Sequence, residues 1–185
     1  MSVKPWNEWY HLTAHTYGTW LYGDRRGWRT RHHREHVEGD YRNPPKPGTF
    51  ESKLARSKQL MKRPPVYLCV EARVSTVGAV VEKLQSDGIE ILAASMTRDH
   101  LHVLVRVPDH NPREWLGRAK KHSSHVLRER SLKPAGSLWG VRCKVEPVKD
   151  RSHQVNTVGY IRDHRDEGGA TWIFTNPKVF APRVE

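Results

Sequence analysis

Cysteine is nearly absent: Cys69 and Cys143 are the only two in 185 residues, too few for a disulfide framework or a cysteine-based zinc site. They suit ordinary core or near-core positions in a reduced compartment, which makes the cytoplasm the expected location. Long apolar runs are missing as well. Nothing approaches the roughly 20 residues of a membrane span, and the opening MSVKPWNEWY lacks a signal-peptide core, so neither a membrane protein nor a secreted one is expected. Acidic residues are scarce beside basic ones, 20 against 32, leaving a formal net charge of +12 and a pI near 10.0. That balance favours a polyanionic partner, nucleic acid ahead of an acidic surface. Hydrophobic residues are 36% of the chain, enough for a folded core, and the length suits a single domain over 1–185.

The segment 10–21, YHLTAHTYGTWL, is rich in Thr, Tyr and Trp and reads as a first strand. From Gly23 to Gly48 the chain is crowded with Arg, His, Pro and Gly without an apolar period, and the basic character runs on through Lys62 and Arg63. This is a basic insertion or arm at about 23–63. After Pro64 and Pro65, residues 66–72 read as a strand or extended lead-in. Val77, Val80, Val81 and Leu84 have helical spacing, with Ser75 and Thr76 as caps and Asp87-Gly88 as a stop. Residues 89–96 and 100–107 form a hairpin pattern ended by Pro108. Asn111, Pro112 and Glu114 start a helix that Trp115, Leu116, Ala119, Val126 and Leu127 keep in phase to about Arg130. A strand at 139–145 and a last helix from Asp150 or Ser152 to Glu167, stopped by Gly168-Gly169, complete the order. The expected fold is α+β, a ferredoxin-like antiparallel sheet with helices on one face and an added C-terminal helix carrying Tyr160.

His100-Leu101-His102 opens a predicted strand, so the two imidazoles emerge on one face. Leu101, Val103, Val105 and Val107 make an apolar stripe on the other. An HxH alone is also what two partly exposed strand histidines look like; it gains meaning from Tyr160 and His164, four apart on a helix and therefore stacked on one side. A tyrosine of ordinary pKa about 10 attacks a phosphodiester poorly unless a nearby cation offsets charge, which gives the phenol and the imidazoles a common use.

His-hydrophobe-His on a strand, followed about sixty residues later by a tyrosine on a C-terminal helix, resembles the HUH-type single-tyrosine transposases of the smallest bacterial insertion sequences, whose relatives include the REP-associated tyrosine transposases. The opening strand, SLWG at 137–140 and YIRDH at 160–164 share in the resemblance, which spans most of the chain. It implies that His100 and His102 bind a divalent metal, that Tyr160 is the nucleophile, and that His164 completes the metal site where the family often has Gln or Asn. It further implies cleavage of single-stranded or hairpin DNA through a 5′-phosphotyrosine, and dimers are common in the family, leaving a homodimer open. Three imidazoles by themselves suit zinc or another first-row metal, whereas the resemblance implies Mg²⁺ or Mn²⁺; with phosphate oxygen and water filling the remaining positions, the family's ion is the one expected.

DNA contacts are expected from Arg25, Arg26 and Arg29 around Trp28, which could stack a base. Lys120 and Lys121 on the long helix, and Arg142 and Lys144 alternating on one strand face, are the other candidates. The competing readings are a noncatalytic nucleic-acid module, which would want an aromatic-rich strand that is missing; a replication initiator or relaxase of the same nuclease superfamily; and a zinc hydrolase of small molecules, which leaves the charge without a purpose.

Overall fold

A computed structural model of the chain describes residues 5–24, 26, 28, 29, 36, 37, 46–133 and 135–175. Its centre is a five-stranded antiparallel sheet of β1 (Trp9–Thr16), β4 (Glu90–Met96), β5 (His100–Arg106), β6 (Trp139–Pro147) and β7 (Ala170–Ile173), in the order β6-β1-β5-β4-β7. Without β7 this is the βαββαβ ferredoxin-like arrangement, in agreement with the expected α+β class. Helices α2 (Val70–Ser86) and α3 (Pro112–Glu129) make the two crossovers.

Alternation along the strands divides the sheet into two chemistries. Tyr10, Leu12 and Ala14 of β1, Met96 of β4, and Leu101, Val103 and Val105 of β5 are buried in one core with Val80 and Leu84 of α2 and Leu116 and Leu127 of α3. Completely buried leucines such as Leu12, Leu84 and Leu116 contribute roughly 1.5–3 kcal/mol each. The other face carries His11, Thr13 and His15 of β1 beside His100 and His102 of β5, with Thr13 opposite His102 and His15 opposite His100. Helix α4 (Arg151–Asp163) lies on this second face, where Ile161 is buried with Trp9, Ala93 and Leu104. So α2 and α3 share one face, as expected, and the C-terminal helix covers the other.

Several local expectations change. Residues 66–69 are extended, but the chain turns helical at Val70, so Ser75 and Thr76 are buried mid-helix rather than caps. Arg73 and Ala72 precede the apolar stripe without breaking it, and tertiary burial starts the helix at Val70, nearly two turns earlier than expected. The first strand stops at Thr16, because Tyr17 N–H is taken by Leu138 O at 2.9 Å and Gly18 turns the chain with φ +74°. The arm holds α1 (Glu51–Gln59) and a short ladder of β2 (Trp28–Arg29) with β3 (His36–Val37), elements that no apolar period announces. No described helix is long and apolar enough to cross a membrane.

Candidate active site

β5 brings His100 and His102 to the sheet face that α4 covers, and α4 delivers the third imidazole. Gln154, Thr157 and Ile161 form the buried stripe of α4; His164, the C-cap residue in αR conformation, prolongs that stripe and is only 4% exposed. The helix therefore ends one residue before His164 rather than at Glu167, yet the four-residue relation survives: the rings of Tyr160 and His164 have centroids 4.6 Å apart. Gly168 adopts φ +76°, and a Cβ on Gly169 would come within 2.7 Å of His164 O. Gly169 N–H also donates to that carbonyl at 2.8 Å, so the expected Gly-Gly stop doubles as the clamp on His164.

One ligand atom from each of His100, His102 and His164 lies within 4.8 Å of the others. The hydrogen bonds around them leave one nitrogen on offer. His100 Nδ1 lies 2.7 Å from Asp99 Oδ1 and 2.8 Å from Thr97 Oγ1. His102 Nδ1 lies 2.9 Å from His11 Nε2 and 3.2 Å from Thr13 Oγ1, while His102 Nε2 is buried without a hydrogen-bond partner among the described residues. His164 Nδ1 faces Ser95 Oγ at 3.3 Å. A buried imidazole nitrogen with no hydrogen bond is costly unless something else accepts its lone pair. Nδ1 engaged and Nε2 free is how metal-binding histidines are oriented, so the donor set fits a divalent cation.

Electrostatics agree. Burial, reinforced by neighbouring histidines, holds His102 well below its ordinary range, and His164 is lowered for the same two reasons. Burial also brings His11 and His15 down to about 4. His11, His15, His102 and His164 are thus neutral at neutral pH. Asp99 is held low mainly by its hydrogen bond to His100, against the opposing effect of burial.

Tyr160 stands at the open edge, 46% exposed, with its ring centroid 5.2 Å from that of His102 and 6.1 Å from that of His11. A phenol reachable from solvent and packed against two of the three imidazoles can meet a substrate that those imidazoles also face.

The expected DNA contacts are scattered. Thr13 pairs with Lys144 and His11 with Glu146, so Lys144 shares the histidine face; its ammonium is 2.7 Å from Glu146. Arg142 lies on the same strand with its guanidinium 5.7 Å from the Tyr22 ring. Lys120 and Lys121 are on α3, across the sheet from the histidines, and Lys120 donates to Gly140 O at 2.8 Å. Trp28 is 5% exposed, edge-on to Phe50 and Tyr22 with Lys53 over its face at 4.4 Å; it packs the arm, and its ring is not offered to a base. Arg26 binds Asp24 at 2.7 Å and approaches Asp99 at 3.7 Å. Arg25 and the side chain of Arg29 lie outside the described residues.

His11, Thr13, Asp99 and Ser95 are site residues that the motifs do not announce. The alternation His11-x-Thr13-x-His15 against Tyr10, Leu12 and Ala14 is the available signal, since it marks one polar and one apolar strand face.

The sheet thus brings a strand histidine pair, a helix tyrosine and a third imidazole together at one face. The model of the family described as Transposase IS200 like matches residues 69–164, more than half of the chain and ending on His164. The chain belongs to that family. Among solved structures, it is similar to a REP-associated tyrosine transposase bound to a REP hairpin, with 12% identity, TM-score 0.48, and coverage of 91% of this chain and 72% of that one. It is also similar to a protein of Deinococcus radiodurans R1 provisionally assigned as a transposase, with 15% identity, TM-score 0.42, and coverage of 88% and 92%. No curated protein matches.

Proposed function

We propose that this transposase cuts and rejoins single-stranded DNA, presented as a hairpin with its flanks, through a covalent bond to Tyr160. The observation that carries the proposal is the position of Tyr160: exposed, and in ring contact with both His102 and His164. In the first step Tyr160 Oη forms a bond to phosphorus and the P–O3′ bond breaks. The phenol's proton is lost, and the departing oxygen keeps the bonding electron pair and takes up a proton as a 3′-hydroxyl. The DNA is left as a 5′-phosphotyrosine. In the second step another 3′-hydroxyl attacks the same phosphorus, the P–Oη bond breaks, and the phenol is regenerated with no net change in phosphodiester bonds.

His100, His102 and His164 would hold the ion, for which we propose Mg²⁺ or Mn²⁺; when bound, it polarises the scissile phosphate and offsets its charge. Asp99, Thr97, His11, Thr13 and Ser95 keep the three rings turned toward the substrate. Arg26, Arg142 and Lys144 neighbour the histidine face and are the better placed of the candidate phosphate contacts, with Arg25 and Arg29 from the same arm; Lys120 and Lys121 would meet only DNA that wraps to the helical face. We assign the whole of 1–185 to one catalytic unit working in the cytoplasm, where Cys69 and Cys143 stay free thiols, and a homodimer remains compatible with it.

The test is incubation with Mn²⁺ and labelled hairpin oligonucleotides drawn from the DNA flanking the gene. A protein-linked band that disappears in chelator is expected; nicking without any such band would replace the tyrosine mechanism with plain hydrolysis.

A further inference from the structure

Beside the histidine face, α1 and the segment 61–67 enclose with the turn at 18–26 an open cleft of about 710 Å³, lined by Arg26, Lys58, Lys62 and Arg63 with Tyr67 and Asp24 among others. Among the described residues four cations line it with one carboxylate, and Arg26 already occupies that carboxylate at 2.7 Å. Lys58 and Lys62 are exposed, and among the described residues neither has an ion-pair partner. Tyr67 carries the Arg98 guanidinium 4.1 Å over its ring but, unlike the buried Trp28, is 49% exposed. The walls are built rather than draped: Gly23 has φ +89°, and a Cβ there would come within 2.5 Å of Leu54 N in α1, so the helix seats directly on the turn.

The cleft connects to the site by two short routes. Arg26 lies 3.7 Å from Asp99, whose carboxylate holds His100 at 2.7 Å. The same guanidinium lies 4.5 Å over the Trp20 ring; that ring is 4.3 Å from His15, which is 5.7 Å from His100. A strand whose phosphate sits at the histidines therefore has a basic channel next in line, one with room for a nucleotide and a half-exposed aromatic ring. Its described lining residues all fall outside the span 69–164 that the family model matches.

We propose that this cleft is a subsite for the unpaired DNA flank, taking a nucleotide unit next to the one being cut, with Lys58 and Lys62 on its phosphates and Tyr67 against a base. This rests on the strand-transfer reading for the identity of the occupant.

The test uses the full chain and a fluorescein-labelled DNA hairpin with or without a single-stranded flank, titrated over a range of KCl concentrations. With the flank, Lys58→Ala/Lys62→Ala is expected to lower the salt slope by about 0.7 for each phosphate that is no longer neutralised; with the flankless hairpin, parent and variant should agree. Tyr67→Ala should weaken flank binding several-fold with the slope kept, and a 5-iodouracil flank should crosslink to Tyr67 in the parent. An unchanged slope, or an equal drop with the flankless hairpin, overturns the subsite. An RNA flank held as tightly, with the same lysine dependence, overturns DNA as its occupant, and inorganic phosphate competing as well as a dinucleotide reduces the cleft to an anion site. If the parent forms a covalent adduct while the slope is unchanged, only the subsite fails; if lysine-dependent flank binding persists and no adduct forms, only the transfer chemistry fails.

Discussion

His11 Nε2 lies 2.9 Å from His102 Nδ1 across neighbouring strands, and this contact decides which nitrogen His102 can offer. If Nε2 of His102 is to face a cation, its proton sits on Nδ1 and is donated to His11 or Thr13, so His11 must accept at Nε2 and keep its own proton on Nδ1. His11→Ala is therefore expected to weaken Mn²⁺ binding by about 10-fold, and His11→Ala/Thr13→Val by more, within the roughly 10–100-fold range for such supporting partners. Isothermal titration with Mn²⁺ checks this without DNA; unchanged affinity in the double variant would show that packing alone orients His102.

Asp99 plays the corresponding part for His100. Asp99→Asn keeps the size of the side chain while removing its charge, and is expected to cost about 10-fold in Mn²⁺ affinity. His102→Ala, which removes a ligand outright, should abolish measurable uptake. If Asp99→Asn were the more damaging of the two, the assignment of ligand and support would be reversed.

The first strand shows how far the sequence can be read. Alternation over His100 to Val107 places HxH on a polar face with an apolar stripe behind it, and the Tyr160–His164 spacing brings a phenol and an imidazole together even though the helix closes before His164. The same alternation is present in Tyr10 to His15, but Thr, Tyr and Trp hide it inside a general strand signal. Trp28 departs from its expected role for a physical reason: an aromatic among arginines looks like a stacking platform until Phe50 and Lys53, from the far end of the same arm, cover it. β7 is not legible because four residues, Ala170–Ile173, carry no periodicity; its pairing with β4 is a tertiary event. The cleft is invisible for the same reason, since its cations come from separate stretches of the arm.

Seating α1 on Gly23 makes a stability prediction. Gly23→Ala must hold a positive φ and force a methyl against Leu54 N and Phe50 O, which lie 2.5 and 2.8 Å from the position of that Cβ. A loss of about 1–3 kcal/mol is expected in urea unfolding. A neutral or stabilising result would mean that the turn and α1 separate freely.

Burial holds His11 and His15 at about 4, below the ordinary value of 6.5, and His102 is also lowered. Between 6.5 and about 4 the unfolded chain takes up protons that the folded chain refuses, so the metal-free protein should lose stability as pH falls through that window. Thermal unfolding in chelator across the window checks the sign. His15→Gln should flatten the dependence, and a midpoint that rises on acidification would contradict the burial of these rings as neutral groups.

The central claim is that Tyr160 makes the covalent bond, and peptide mapping of the DNA adduct tests it most directly. Parent protein with Mn²⁺ and a labelled hairpin should carry DNA on the α4 peptide at Tyr160. Tyr160→Phe keeps the ring that packs on His102 and His164, so it should fold, bind Mn²⁺ and hold the hairpin about as well as the parent while forming no adduct. DNA found on Tyr10, Tyr17, Tyr22, Tyr41 or Tyr67, or an adduct that persists in Tyr160→Phe, would contradict the mechanism.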